Sequence, residues 1–338
     1  MSEQVVGALK AFVDGRDLQA SEAEAVMLEV MGGEVSPVHL AGLLVAWRMK
    51  GETVAELVGA ARAMRARAEN IRPQVAVVDT CGTGGDGKST FNISTAAALI
   101  AAAAGAAVAK HGNRAVSGRV GGADILEALG VRIDLPPDQV RECIEATGFG
   151  FLFAPRFHPA MRHVAPVRRE LGLRTIFNLL GPLANPAGAK RQLVGVFAGK
   201  WLEPLAWALA ELGAEHAMVV HSEDGLDEIS LSAPTQVCEW RGGELRRWRL
   251  DPARLGFSTY PREAFVCPDL LTALERMQAV LHGEPGPCTE VAELNAGAAL
   301  YVAGHAATLE EGVRQAHEAI VGGVAWQKLQ QVIAWTNR

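Results

Sequence analysis

No two of the five cysteines (Cys81, Cys143, Cys238, Cys267, Cys288) are close enough to form a CxxC pair, and their number is odd. That argues against a disulfide framework or a structural zinc site and suits a reducing cytoplasm. Positive charge is not in excess: 32 Lys and Arg face 38 Asp and Glu, a net charge of -6, so no nucleic-acid partner is expected. No apolar run is long enough to span a bilayer comfortably. The most apolar, Thr95 to Ala109, is mostly alanine and reads as a buried helix, so no membrane partner is expected. The opening MSEQVVGALK has no basic leader before an apolar core, so no signal peptide is expected and a cytoplasmic location is. Repeats and low-complexity tracts are also missing. What is present is 338 residues, 49% hydrophobic and 21% charged, an ordinary globular composition with room for two domains.

The first seventy or so residues carry three helical patterns and no strand signal. Ser21 and Glu24 have capping-box spacing, and their helix should end at Gly32-Gly33. Ser36-Pro37 reads as an N-cap followed by proline at the first helical position, with Leu40, Leu43, Leu44 and Trp47 forming a buried face. Thr53 and Glu56 repeat the capping box before a helix running to about Ala68. Residues 1–72 therefore read as a small all-helical domain, closed by Pro73.

The pattern then changes. Val75 to Val78 is a β-branched run entering a glycine loop; a helix follows from about Ser94 to Ala104, then a strand near Ala107 to Lys110. Further apolar runs at 131–135, 149–153, 193–197 and 217–220 continue the alternation. Residues 73–338 read as an α/β domain with a mostly parallel central sheet flanked by helices. The stretch from His158 to Pro186, rich in Arg and Pro, should leave that sheet.

The polar clusters follow predicted strands, where such sheets bind ligands. The loop DTCGTGGDGKSTFNIST, from Asp79, has glycines at 82, 84, 85 and 87 that let successive N–H groups turn toward one anion, and the next helix adds its N-terminal dipole. Gly82 to Ser89 also satisfies GxxxxGK[ST], the P-loop pattern of nucleotide triphosphatases. Against that reading stand the charge of Asp86, the polar run continuing through Asn92, Ser94 and Thr95, and the lack of a clean magnesium-bearing second motif. Periodicity alone leaves the P-loop alternative open.

Lys110, His111, Asn113, Arg114, Ser117 and Arg119 crowd a second loop, suited either to a pyrophosphate or phosphosugar or to a solvated basic turn. Asp227 and Glu228 are adjacent hard-oxygen groups of the kind that hold Mg²⁺ against a phosphate, though neighbouring acids are commonly just solvated surface. Arg162, Arg168, Arg169 and Arg174 offer a bidentate partner for a carboxylate, or a solvated helix face.

These segments, together and in this order, resemble the anthranilate phosphoribosyltransferase family, within the nucleoside-phosphorylase-like (class III) phosphoribosyltransferases. KGET (Lys50 to Thr53), Ala63-Met64-Arg65 and LNAGAALYVAG (Leu294 to Gly304) extend the resemblance over nearly the whole chain. PVRRELGLRTIFNLLGPLANPA separates it from the pyrimidine nucleoside phosphorylases of the same fold. In those, the loops would take free phosphate, leaving the Arg168 segment unexplained. The resemblance implies transfer of a phosphoribosyl group from 5-phosphoribosyl 1-pyrophosphate (PRPP) to anthranilate.

By matching motif positions, the resemblance places PRPP against Gly82, Gly85, Asp86, Thr90, Asn92, Ile93, Ser94, Thr95 and Lys110. The same contact set runs through His111, Gly112, Asn113, Arg114, Ala115, Val116, Ser117, Gly118 and Gly122. Anthranilate would meet Gly82, Asn113 and Arg168, with His111, His158 and Pro182 walling its channel. Two Mg²⁺ per subunit are implied, one at Ser94 and one at Asp227 and Glu228. A homodimer is also implied, formed through a helical domain that takes back helices from about 161–184. One departure stands out: Arg119 to Asp124 reads RVGGAD where many members have SxSGSAD. Gly122 thus keeps its backbone N–H but lacks a hydroxyl often given to PRPP.

Overall fold

The computed structural model describes residues 3–84, 88–115 and 120–338. Four helices open the chain: α1 (Glu3–Val13), α2 (Ala20–Gly32), α3 (Pro37–Lys50) and α4 (Val54–Ala66). Ser36 caps α3, and Thr53 caps α4 in a capping box with Glu56. The start of α2 differs from the Ser21–Glu24 expectation. Its cap is Gln19, whose N–H donates to Glu22 at 2.8 Å, because the preceding Leu18 N–H is already held by Glu56 at 2.9 Å.

Glu56 is fully buried, and its carboxylate also accepts from Trp47 Nε1 (2.9 Å), Thr53 N (2.9 Å) and Lys50 Nζ (3.0 Å). This gives KGET a structural meaning. One carboxylate satisfies donors from three stretches of chain, as a buried charge requires.

The rest of the chain builds a seven-stranded sheet. In order come β1 (Val77–Gly82), α5 (Ile93–Ala103), β2 (Ala107–Gly112), α6 (Gly122–Ala128), α7 (Pro137–Thr147), β3 (Phe149–Phe153) and the short α8 (Ala154–Phe157). Then follow α9 (Ala165–Leu171), α10 (Phe177–Leu183), β4 (Arg191–Gly195), α11 (Leu202–Glu211), β5 (His216–Ser222), β6 (Thr235–Arg241) and β7 (Glu244–Leu250). Four helices complete the chain: α12 (Leu270–Leu281), α13 (Pro287–Ala303), α14 (Leu309–Val321) and α15 (Val324–Thr336). The strand order is β3-β2-β1-β4-β5-β6-β7; the first five are parallel and the last two antiparallel.

Two sequence expectations change here. Residues 131–135 form no strand. Val131, Ile133 and Leu135 are buried alternately, which mimics a strand signal without any ladder. The β6–β7 hairpin was not anticipated, although Gly242-Gly243, both at positive φ, carries the turn signal for it.

One sheet face packs on α5 and α12–α15. The other shares a core with the N-terminal helices: Cys81, Val194, Val196, Ala217 and Val219 pack with α4, α10 and α11. Among the described residues, no helix is long and apolar enough to cross a membrane.

Candidate active site

The chain leaves β1 toward β2 on one side and later returns to β4 on the other, so β1 and β4 flank a topological switch point. The polar clusters meet at its carboxyl end. Gly82 ends β1, Thr83 N donates to Gly195 O (2.9 Å), and Gly84 N donates to Asp227 Oδ2 (2.9 Å). Side chains are excluded by contact here. A Cβ on Gly82 would lie 2.7 Å from Asp227 Oδ2, and one on Gly195 would overlap the Asp227 carbonyl. The acidic pair is therefore packed directly on the start of the glycine loop. Gly85, Asp86, Val116, Ser117 and Gly118 lie outside the described residues.

Beyond the loop, Lys88 and Ser89 are not helical; α5 begins only at Ile93, after Asn92. A P-loop would start its helix at the Lys-Ser pair, so that alternative loses its structural context. Asn92 Nδ2 donates to Val120 O (3.0 Å), tying the first loop to the second, while its buried Oδ1 meets no partner among the described residues. Thr95 is buried, and a Cβ on Gly122 would stand 3.2 Å from its hydroxyl.

Lys110 is buried at the end of β2. Its ammonium donates to Thr80 O (2.6 Å) and Ser94 Oγ (3.2 Å), and burial pulls its pKa down while Asp79 pulls it back. Asp79 is fully buried as well and accepts from His111 N (3.1 Å) and Asn185 Nδ2 (2.7 Å). Burial raises its pKa, opposed by Asn185 and Lys110. Asp79, Thr80 and Asn185 lay in the quoted motifs without a role assigned to them; the geometry makes them the supports of Lys110 and His111. An Asp directly after the apolar run Val75 to Val78 and just before the glycine loop was the available signal.

In the second loop, Asn113 Oδ1 accepts from Arg114 N (2.8 Å), and Asp124 Oδ2 accepts from Ala115 N (3.1 Å) and Gly121 N (2.8 Å). The Arg114 guanidinium turns to Asp124 (3.0 Å) and to both oxygens of Glu127 (2.8 and 3.0 Å). Its charge is thus largely answered within the protein, leaving its backbone, like that of Gly112, nearer the strand end.

Two buried imidazoles lie beside this. The rings of His111 and His158 are 5.0 Å apart, and His111 Nδ1 is 3.3 Å from Gly181 O, next to Pro182. Burial lowers His111 to about 3 and His158 to about 4, so both are neutral near pH 7. Arg168, on α9, stacks over Phe177 (5.3 Å), and burial lowers its pKa too. A half-buried guanidinium on an aromatic face is a ready partner for a carboxylate.

Among the described residues no group of three or more His, Cys, Asp or Glu forms a metal cage. Asp227 and Glu228 suit Mg²⁺, which takes one or two carboxylates and completes its shell with water and phosphate oxygens.

Residues 74–326 match the α/β domain of the glycosyl transferase family, and residues 6–68 match that family's helical bundle domain. The chain thus belongs to this family of transferases, whose two parts are the bundle and the sheet domain just described. Within it, the similarity narrows. The chain is 52% identical to the anthranilate phosphoribosyltransferase of Thioalkalivibrio sulfidiphilus over 97% of this chain and 98% of that protein. It is also 52% identical to that of Symbiobacterium thermophilum, over 98% and 97%. The crystal structure of anthranilate phosphoribosyltransferase from Thermus thermophilus superposes with a TM-score of 0.93 at 48% identity, covering 98% of this chain and 99% of that one. The Saccharomyces cerevisiae enzyme in complex with PRPP and Mg shares the fold (TM-score 0.91, 24% identity, 99% of each chain). The chain is a member of the anthranilate phosphoribosyltransferases.

Proposed function

We propose that the chain transfers the 5-phosphoribosyl group of PRPP to the amine of anthranilate, giving N-(5-phosphoribosyl)anthranilate and pyrophosphate, a step of tryptophan biosynthesis. The observation that carries this is the convergence, at one strand end, of the glycine loop, the Lys110 ammonium, the Asp227-Glu228 pair and the neutral histidine wall.

Breaking the bond from C1 to the pyrophosphate oxygen leaves positive charge on the ribose and negative charge on the leaving group. Lys110 and the positive end of α5 would stabilise that negative charge. Thr90, Asn92, Ile93, Ser94 and Thr95 at the start of α5, with the backbone of 111–115 and Gly122, form the remaining described part of the PRPP cradle. Mg²⁺, when bound, would neutralise pyrophosphate charge; Asp227 and Glu228 would hold one ion and Ser94 the other. The amine of anthranilate is neutral at pH 7 and already nucleophilic, so no strong general base is obligatory. Arg168 pairs with its carboxylate, and His111, His158 and Pro182 wall its ring beside Gly82 and Asn113. Neutral histidines suit that task because they add no charge beside the reacting amine. Holding the amine over C1 supplies much of the remaining acceleration.

Loss of anthranilate fluorescence on mixing the protein with PRPP, Mg²⁺ and anthranilate tests the reading; a folded preparation that causes none overturns it.

The reading extends to a cytoplasmic homodimer with two Mg²⁺ per subunit. Residues 1–72, with 161–184, are taken as its helical unit. Val13, Val38 and Met49 are apolar residues exposed on α1 and α3 of that unit. Light scattering on the purified chain checks the homodimer, and a monomer at micromolar concentration rejects it.

A further inference from the structure

Ser89 is the only non-glycine residue at positive φ (51°) among the described residues. L-residues avoid this conformation, so something outside the loop must hold it. That support is a short strap, residues 264–267, which belongs to none of the seven strands. Cys267 N donates to Ser89 O (2.8 Å), Phe91 N donates to Phe265 O (2.7 Å), and Thr90 bridges Val266 in antiparallel fashion. Phe91 and Phe265 are both buried, which fixes the two segments against the core.

Arg276 is the cationic anchor of the strap, whose Ala264 carbonyl also accepts from Cys288 Sγ (4.0 Å). Arg276, half-buried on α12, donates from Nη1 to Ala264 O (2.9 Å) and lies against the sulfurs of Cys288 (3.9 Å) and Cys267. The same helix packs on α6, which follows the second loop. A cationic donor set on a backbone carbonyl gives a stronger and more directional hold than a neutral one.

We propose that Arg276 is a positioning residue for PRPP binding: through the 264–267 strap it holds Ser89 and Thr90 in the conformation that faces the phosphates. This role rests on the reading of the glycine loop as the PRPP site. It does not extend to anthranilate, whose proposed wall of His111, His158, Pro182 and Arg168 has no hydrogen bond to the strap among the described residues. Arg276 touches no reacting atom, so its effect belongs in PRPP affinity rather than in turnover.

The test compares Arg276→Met with Arg276→Lys, which keeps a charged donor for the Ala264 carbonyl. PRPP binding is measured by calorimetry, both KM values and kcat by anthranilate fluorescence, and folding by circular dichroism. Losing one charge-assisted hydrogen bond should weaken PRPP binding about tenfold in R276M, with kcat and the anthranilate KM unchanged. R276K should recover most of that loss. If R276M does not fold, Arg276→Gln replaces it; its shorter neutral amide should show the same split. A folded variant that binds PRPP as the wild type does overturns the role, as does a joint rise of both KM values with a fall in kcat. Wild-type protein that binds no PRPP overturns the underlying reading and this role with it.

Discussion

The backbone carbonyl of Asp227 occupies the space that a Cβ on Gly195 would fill. This places the acidic pair on the glycine loop and fixes where Asp227 Oδ2 meets Gly84 N. Gly195→Ala should therefore push the 227–228 segment outward. The expected result is a higher Mg²⁺ concentration for half-maximal activity together with a stability loss of about 1–3 kcal/mol from overpacking. Magnesium titrations beside thermal melts check this, and an unaltered magnesium response refutes the link.

Arg168 carries a carboxylate-binding role in the proposed reaction. Arg168→Ala should raise the anthranilate KM about 10- to 100-fold, the scale of a lost hydrogen bond to a charged group, and leave the PRPP KM nearly unchanged. Steady-state kinetics with each substrate varied decide it; equal effects on both would sink the role.

The two buried histidines set an acid limb on stability. Their folded pKa values, about 3 for His111 and about 4 for His158, lie below the unfolded value near 6.5. The unfolded state therefore binds more protons than the folded state between these limits. Stability is full above about pH 6.5 and is lost as pH falls toward 4 and then 3. His158→Gln should shallow that decline by about one proton. Urea denaturation at a series of pH values from 4.5 to 7.5 measures the slope, and an identical slope in the variant contradicts the assignment.

In the helical unit, Glu56 gathers donors from Leu18, Trp47, Lys50 and Thr53. Glu56→Ala leaves the buried Leu18 and Trp47 donors and the Thr53 N–H without their acceptor. It also breaks the buried pair with Lys50, which keeps Asp17 (2.6 Å) and the Gly51 carbonyl (2.7 Å). A loss of about 3–5 kcal/mol is expected. Chemical denaturation followed by circular dichroism would show it; a loss under 1 kcal/mol would mean that water replaces the carboxylate, against the burial seen here.

Much of this was legible in the residues because the deciding signals are local. The Ser36 and Thr53 caps, the glycine loop and the βαβ alternation each depend on neighbours within a few positions. Apart from the β6–β7 hairpin, whose Gly242-Gly243 signal is local, the failures turn on partners far along the chain. The start of α2 is set by Glu56, 38 residues beyond Leu18. Residues 131–135 alternate like a strand because two cores receive their side chains, not because a ladder exists. At the site, Lys110, His111 and Asp227 were readable from composition and spacing. Asp79 and Asn185 were not singled out, since their meeting spans 106 positions. The strap of 264–267 was invisible for the same reason.

The amide of Asn92 reaching the carbonyl of Val120 gives the two strand-end loops a common hinge. A substrate that spans both loops is then not sensed as two separate fragments. Ribose 5-phosphate and pyrophosphate, offered singly, would each have to set the same hinge, so their separate affinities will not multiply to that of the intact molecule.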